Sequence, residues 1–235
     1  MALPKIETPT YNMVVPSTQE EIKFRPFLVR EEKILLLAME EDNNKATHDA
    51  VLNLVDSCTF GKIGKRTDPM FDIEYTFLKI RSKSVSETVD LNILCPDDGV
   101  TYVPHSIEID SIDVLLDDEY TQLVDVGNNV KVQLRFPNIG DSLKANDIES
   151  ETERVFFVVK SCIEEIHFGD DIYHKADITN KELDEFIDNL SQNMFEDLQK
   201  FFERMPKLRH VFEVENPKTG IKSEITLEGL ADFLG

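Results

Sequence analysis

Two stretches of the chain carry apolar residues at intervals of three and four, and a stretch between them alternates. Residues 31–40 read as a helix, with Glu31 and Glu32 in the first turn, where negative charge suits the positive helix start. Thr47 is placed to cap a second helix, with Ala50, Val51, Leu54 and Val55 on one side. After the glycine-punctuated linker Phe60-Gly61-Lys62-Ile63-Gly64, Asp68 and Pro69 suit the cap and first position of a third helix. That helix runs to about Arg81, with Ile73, Phe77 and Ile80 at helical spacing.

The period then changes. Thr88-Val89-Asp90-Leu91-Asn92-Ile93-Leu94 alternates, Pro96-Asp97-Asp98-Gly99 turns, and residues 100–109 return as the second arm of a hairpin. Residues 112–116 and 121–126 are weaker strand candidates, and residues 130–136 alternate cleanly up to Pro137. From about Ser142 the helical period resumes. Val155-Phe156-Phe157-Val158-Val159 falls in a helix that includes Cys162 and Ile163 and ends near His167-Phe168-Gly169. Thr179-Asn180-Lys181-Glu182 is a capping box. It opens one long helix with a stripe of Leu183, Phe186, Ile187, Leu190, Met194, Leu198, Phe201 and Met205, stopped at Pro206. An alternating run, the turn Asn216-Pro217-Lys218-Thr219-Gly220 and a short apolar helix close the chain. Chain ends are usually polar and frayed. An apolar end therefore predicts burial, in its own core or in a neighbour. No internal repeat stands out.

These elements give an α+β fold: helical N- and C-terminal segments around a small, mostly antiparallel β unit, ending in a β-hairpin and a short helix. The expected organisation is an extended proline-containing arm (1–27), an N-terminal helical segment (28–85), an antiparallel β unit (86–137) and a C-terminal helical segment (138–235). Pro4, Pro9, Pro16 and Pro26 restrict the arm to extended geometry. Lacking a core of its own, it must lie on another subunit or along its own domain.

Composition narrows the function classes. The 25 basic and 46 acidic residues leave a formal charge of −21. That disfavours nucleic acid and anionic membranes, both of which demand Lys and Arg, and would suit a basic protein partner. No run of apolar residues is long enough to span a bilayer, and no signal peptide heads the chain. Cys58, Cys95 and Cys162 are an odd, sparse set, which fits free thiols in a reducing compartment.

Candidate chemistry is thin. Cys95-Pro96-Asp97-Asp98 resembles half of a zinc knuckle without its second cysteine, and a turn between strands accounts for it. No cysteine has an adjacent base, and no nucleophile elbow, phosphate loop or metalloprotease motif occurs. Asp117-Asp118-Glu119 lacks the spacing of a calcium loop. No catalytic, cofactor-binding or metal residue is assigned, and no small-molecule substrate is expected. The residue types that anchor interfaces are more evident. Phe24 and Phe27 bracket Arg25 and Pro26, Arg209 and His210 follow the long helix, and Leu230, Phe233 and Leu234 line the terminal helix. These eight residues other than Pro26 are the partner-binding candidates; Phe24 and Phe27 stapling a helix start to the core is the alternative.

Several of these motifs occur in one order: Phe24-Arg25-Pro26 before Glu31-Glu32-Lys33, Ile80-Arg81-Ser82-Lys83-Ser84-Val85, Cys95-Pro96-Asp97-Asp98-Gly99, Phe201-Phe202, Pro206-Lys207-Leu208-Arg209-His210, and Leu227-Glu228-Gly229-Leu230-Ala231-Asp232-Phe233. Over about residues 23–235 this set resembles the baseplate hub subunit, or hub assembly protein, of T-even-type contractile-tailed phages and their cyanobacterial relatives. The resemblance implies a non-enzymatic role in the hub where tail tube, spike and wedges meet. It implies other baseplate and tail proteins as partners, and the acidic charge points to a basic hub component among them. The expected place is the tail baseplate of the virion, with the host cytoplasm during assembly; the resemblance alone does not separate a virion component from an assembly chaperone. A hub assembly chaperone not kept in the virion is the first alternative; an unrecognised hydrolase or metal-binding protein is the second.

Overall fold

The computed structural model describes residues 7–40, 44–115 and 120–234. A hairpin of β1 (Tyr11–Val14) and β2 (Glu21–Phe24) leads to helices α1 (Val29–Glu40), α2 (Asn44–Cys58) and α3 (Met70–Ser84). Strands β3 (Thr88–Leu94), β4 (Tyr102–Glu108) and β5 (Asp113–Leu115) follow, then β6 (Leu123–Gly127) and β7 (Val130–Leu134). Next come α4 (Ile139–Asn146), α5 (Glu151–Cys162), β8 (Ile163–Phe168), β9 (Asp171–His174), α6 (Asn180–Asp188) and α7 (Gln192–Arg204). Strands β10 (Lys207–Glu215) and β11 (Lys222–Glu228) and the short helix α8 (Leu230–Leu234) complete the chain. The class is α+β, and the described strand pairs are antiparallel.

The chain divides into two compact units, residues 1–115 with 207–235, and residues 116–206. The boundaries differ from those the period changes suggested. Of the expected β unit at 86–137, strands β3 to β5 belong to the first unit and β6 and β7 to the second. In the first unit, alternate residues of β3, β4, β10 and β11 bury Val89, Leu91, Ile107, Val214 and Leu227 together with Leu78 of α3 and Phe233 of α8. In the second, the sheet β6-β7-β8-β9 buries Val132, Leu134 and Ile163 against Val159, Leu183, Ile187, Leu198 and Phe201.

The described part of the arm lies along its own unit, one of the two placements expected: Met13, Val15, Ile22 and Phe24 are buried, and the β1–β2 turn is tied to α3 by Ser17, which donates its N–H and hydroxyl to Asp72. Four local expectations are corrected. Thr47 lies inside α2, where its hydroxyl donates to the Ala38 carbonyl, and Asp68 accepts from the Gly64 and Lys65 N–H groups rather than capping α3. The helix expected to run to about residue 167 stops at Cys162, and β8 begins at once. Ile163 and Ile166 are three apart, a helical spacing, yet both face the core because the β7–β8 register shifts between Gln133 and Leu134. Such a bulge gives one strand an extra residue. The long helix from residue 180 is two helices: Asn189 caps α6, and Ser191 Oγ accepts from the Met194 N–H to start α7. The calcium candidate Asp117-Asp118-Glu119 lies outside the described residues.

One plan is built twice, contrary to the expectation of no repeat. A hairpin (β1–β2, β6–β7) ends at an arginine, two helices follow (α1–α2, α4–α5), and the second ends at a cysteine. Later a helix (α3, α7) leads into a hairpin (β3–β4, β10–β11). Val51-Leu52-Asn53-Leu54-Val55-Asp56-Ser57-Cys58 stands against Val155-Phe156-Phe157-Val158-Val159-Lys160-Ser161-Cys162, and Met70-Phe71-Asp72 against Met194-Phe195-Glu196. The hydrogen bonds match as well. The Arg25 N–H donates to the Cys58 carbonyl (2.9 Å) and the Arg135 N–H to that of Cys162 (2.8 Å). Each guanidinium donates to the next residue's carbonyl and to a carboxylate six residues on, Glu31 or Asp141. That carboxylate accepts a third N–H, from Leu28 or Asn138, at the helix start. The hairpin turns Cys95-Pro96-Asp97-Asp98-Gly99 and Asn216-Pro217-Lys218-Thr219-Gly220 both close from glycine N–H to first carbonyl, with the glycines at φ +66° and +71°, where a side chain is disfavoured. The repeat is concealed because residues 163–190 replace the loop at 59–69, so matched residues keep no constant spacing.

Candidate protein-interaction surface

The eight sequence candidates fall into two groups, both in the first unit. In the β2–α1 corner, Phe24 is buried, its ring 5.6 Å from that of Tyr11. Arg25 is buried in its ion pair with Glu31 (3.0 Å). Burial opposes ionisation of Glu31, but bonds from Arg25, Arg30 and the Leu28 N–H hold its carboxyl below the usual range. Half-buried Phe27 donates its N–H to Ser84 Oγ. These residues staple α1 to the body, the alternative weighed above.

The second group spans β10 to α8. Arg209 is exposed, in register with Asp113 on one side and Glu228 on the other. His210 is half-buried; burial, then the nearby His105, hold its pKa below the ordinary value. Leu230 donates its N–H to Glu74 (3.0 Å), and Phe233 is 0% exposed. The apolar end is thus buried in its own unit, so Phe233 is not available as an outward anchor. The side chain of Leu234 lies outside those described. Cys95 and its turn are structural: Asn216 Nδ2 donates to both carboxylate oxygens of Asp97 (3.0 Å each), and Thr219 adds a third bond (2.6 Å). Those bonds hold Asp97 below the ordinary carboxylate range. Burial pushes the thiols of Cys58 up to about 11 and Cys162 up to about 12, so neither is a thiolate near neutrality. Among the described residues, no three His, Cys, Asp or Glu converge as a metal site, and no helix is long and apolar enough to cross a membrane.

The structure exposes apolar surface that the sequence reading did not single out. On α1, Ile34, Leu36, Leu37 and Met39 face outward; a run apolar on every side cannot bury all of it, and that was the available signal. In the second unit a groove of about 430 Å³ lies between the sheet and α6. Val130, Ile166, Phe168 and Tyr173 form the sheet side, Ile178 and Phe186 the other, and Asp177 and Glu182 the polar lining. Phe168 is 54% and Tyr173 48% exposed.

The family described as T4 bacteriophage base plate protein matches residues 8–235, nearly the whole of the chain. The chain belongs to that family. No curated protein and no solved structure matches it. The match begins before β1 and runs through α8, so both passes of the repeated plan lie within this baseplate protein's family region. A baseplate is a multi-protein part of the virion tail, so contact with other baseplate proteins and a place in the tail baseplate follow from membership.

Proposed function

We propose that this chain is a non-enzymatic structural component of the baseplate hub, acting through protein–protein contacts during tail assembly in the host cytoplasm. The observation that carries the reading is the family match over residues 8–235. Support comes from the polar groups that sequence analysis singled out. Arg25, Asp97, Asp98 and Asn216 are engaged in bonds that hold hairpins and helix starts in place. The charge of −21 favours a basic hub partner and disfavours self-association.

Quantitative mass spectrometry of purified phage particles and of tail assembly intermediates tests this. Near-stoichiometric copies of the chain are expected in finished baseplates. Presence in intermediates and absence from finished particles would replace the component with an assembly chaperone.

A further inference from the structure

The twofold use of one plan separates what the scaffold needs from what has been added to it. The first pass runs from α2 to α3 through the loop at 59–69; the second inserts β8, β9 and α6. Part of the insertion completes the core, through Ile163, Ile166, Leu183 and Ile187. The rest of the sheet face that carries Ile166 stays exposed, Phe168 at 54% and Tyr173 at 48%. Phe168 stands opposite Val130 and Tyr173 opposite Ile166, so one sheet face presents a row of apolar side chains to the groove. Tyr173 belongs to β9, the terminal strand of its sheet, which pairs with β8 alone among the described residues. Unpaired strand edges are templates for a further strand. The insertion is also strongly acidic: residues 164–188 hold nine Asp and Glu against two Lys.

We propose that this groove takes an extended segment of another baseplate protein, with alternating apolar and basic residues, added as a strand along β9. Main-chain bonds to β9 supply affinity, and alternate side chains supply specificity. Apolar residues enter between Phe168, Tyr173 and Phe186; the intervening Lys or Arg residues point to the opposite sheet face, attracted by the net negative charge of residues 164–188. The charge excludes a second copy of this strongly acidic chain as the preferred occupant. The proposal rests on the reading of the chain as a partner-binding baseplate protein and names the site where it binds.

The test is titration of the full-length chain with a labelled (Lys-Val)4 peptide, by fluorescence anisotropy. Saturable binding is expected, weakened at least fivefold by Tyr173→Ser or Phe168→Ser and unchanged by Val100→Ser at an exposed turn elsewhere. N-methylation of the valines, which removes their N–H donors, and replacement of every Lys by Glu should each abolish binding. Equal affinity across the three variants, or full binding by the N-methylated peptide, would overturn the proposal. In phage, Tyr173→Asp should lower the yield of complete tails. If the chain is stoichiometric in particles yet Tyr173→Asp tails assemble normally, the groove proposal fails and the component reading stands. If the chain is absent from particles, the component reading fails while the peptide titration still decides the groove.

Discussion

Replacing Phe233 by Ala should destabilise the first unit of the free protein. The ring is wholly buried against the hairpin core formed by β3, β4, β10 and β11. Truncation of a buried Phe to Ala costs about 3–5 kcal/mol, the lost transfer energy plus the cavity. Helix α8 is short and terminal, so partial collapse onto the gap places the expected cost near the lower bound, about 3 kcal/mol. With a urea slope of about 2 kcal/mol per molar, the midpoint of the first unit falls by about 1.5 M. Hydrogen exchange read segment by segment in rising urea is the assay, because it separates the two units. Protection should drop in β3, β4, β10 and β11 and persist in β6 to β8. Unchanged protection in all four hairpin strands, with loss of binding to baseplate partners, would show that Phe233 serves a partner contact and not the hairpin core.

The other two predictions concern buried charge. Burial pushes the carboxyl of Asp72 up to about 6, against the two bonds from Ser17. The native state therefore holds this proton more tightly than the unfolded chain, whose Asp titrates at about 3.9. The resulting stabilisation is complete below about pH 4 and is lost as pH rises through about 6. Urea midpoints of wild type relative to Asp72→Asn should fall between pH 4.5 and 7; parallel profiles would refute the assignment. Arg25→Met leaves the buried Glu31 carboxylate with only the exposed Arg30 and the Leu28 N–H, at a cost of about 3 kcal/mol, the lower end for removing one partner of a buried pair. Arg135→Met at the matching position should cost less, because its side chain is 29% exposed against 11% for Arg25. Adding Glu31→Gln to Arg25→Met should recover much of the loss, and a double variant no more stable than the single one would argue against the clamp.

Where one local pattern decided the structure, the sequence was readable. The alternation of β3, β7 and β10 and the capping box of α6 arise from neighbours in the chain, so the class, the β3–β4 and β10–β11 hairpins and most helices could be seen. Distant partners hid the rest. Ile163 and Ile166 look helical until a bulge in β7–β8 turns both inward. Leu183 to Phe201 keeps one stripe across a break set by Asn189 and Ser191. Arg25 and Phe24 have the composition of interface anchors, and only the Glu31 carboxylate and the Cys58 carbonyl reveal them as internal. The groove was missed because β8 and β9 had been assigned to a helix and its aftermath.

The chain leaves the first unit at Leu115 and re-enters it at Lys207, and these two residues are partners across the β5–β10 ladder. Entry and exit of the 116–206 excursion are thus riveted side by side. Tension applied through that excursion would pull the two strands apart from one end, rupturing rungs in succession as a zipper opens instead of shearing them together.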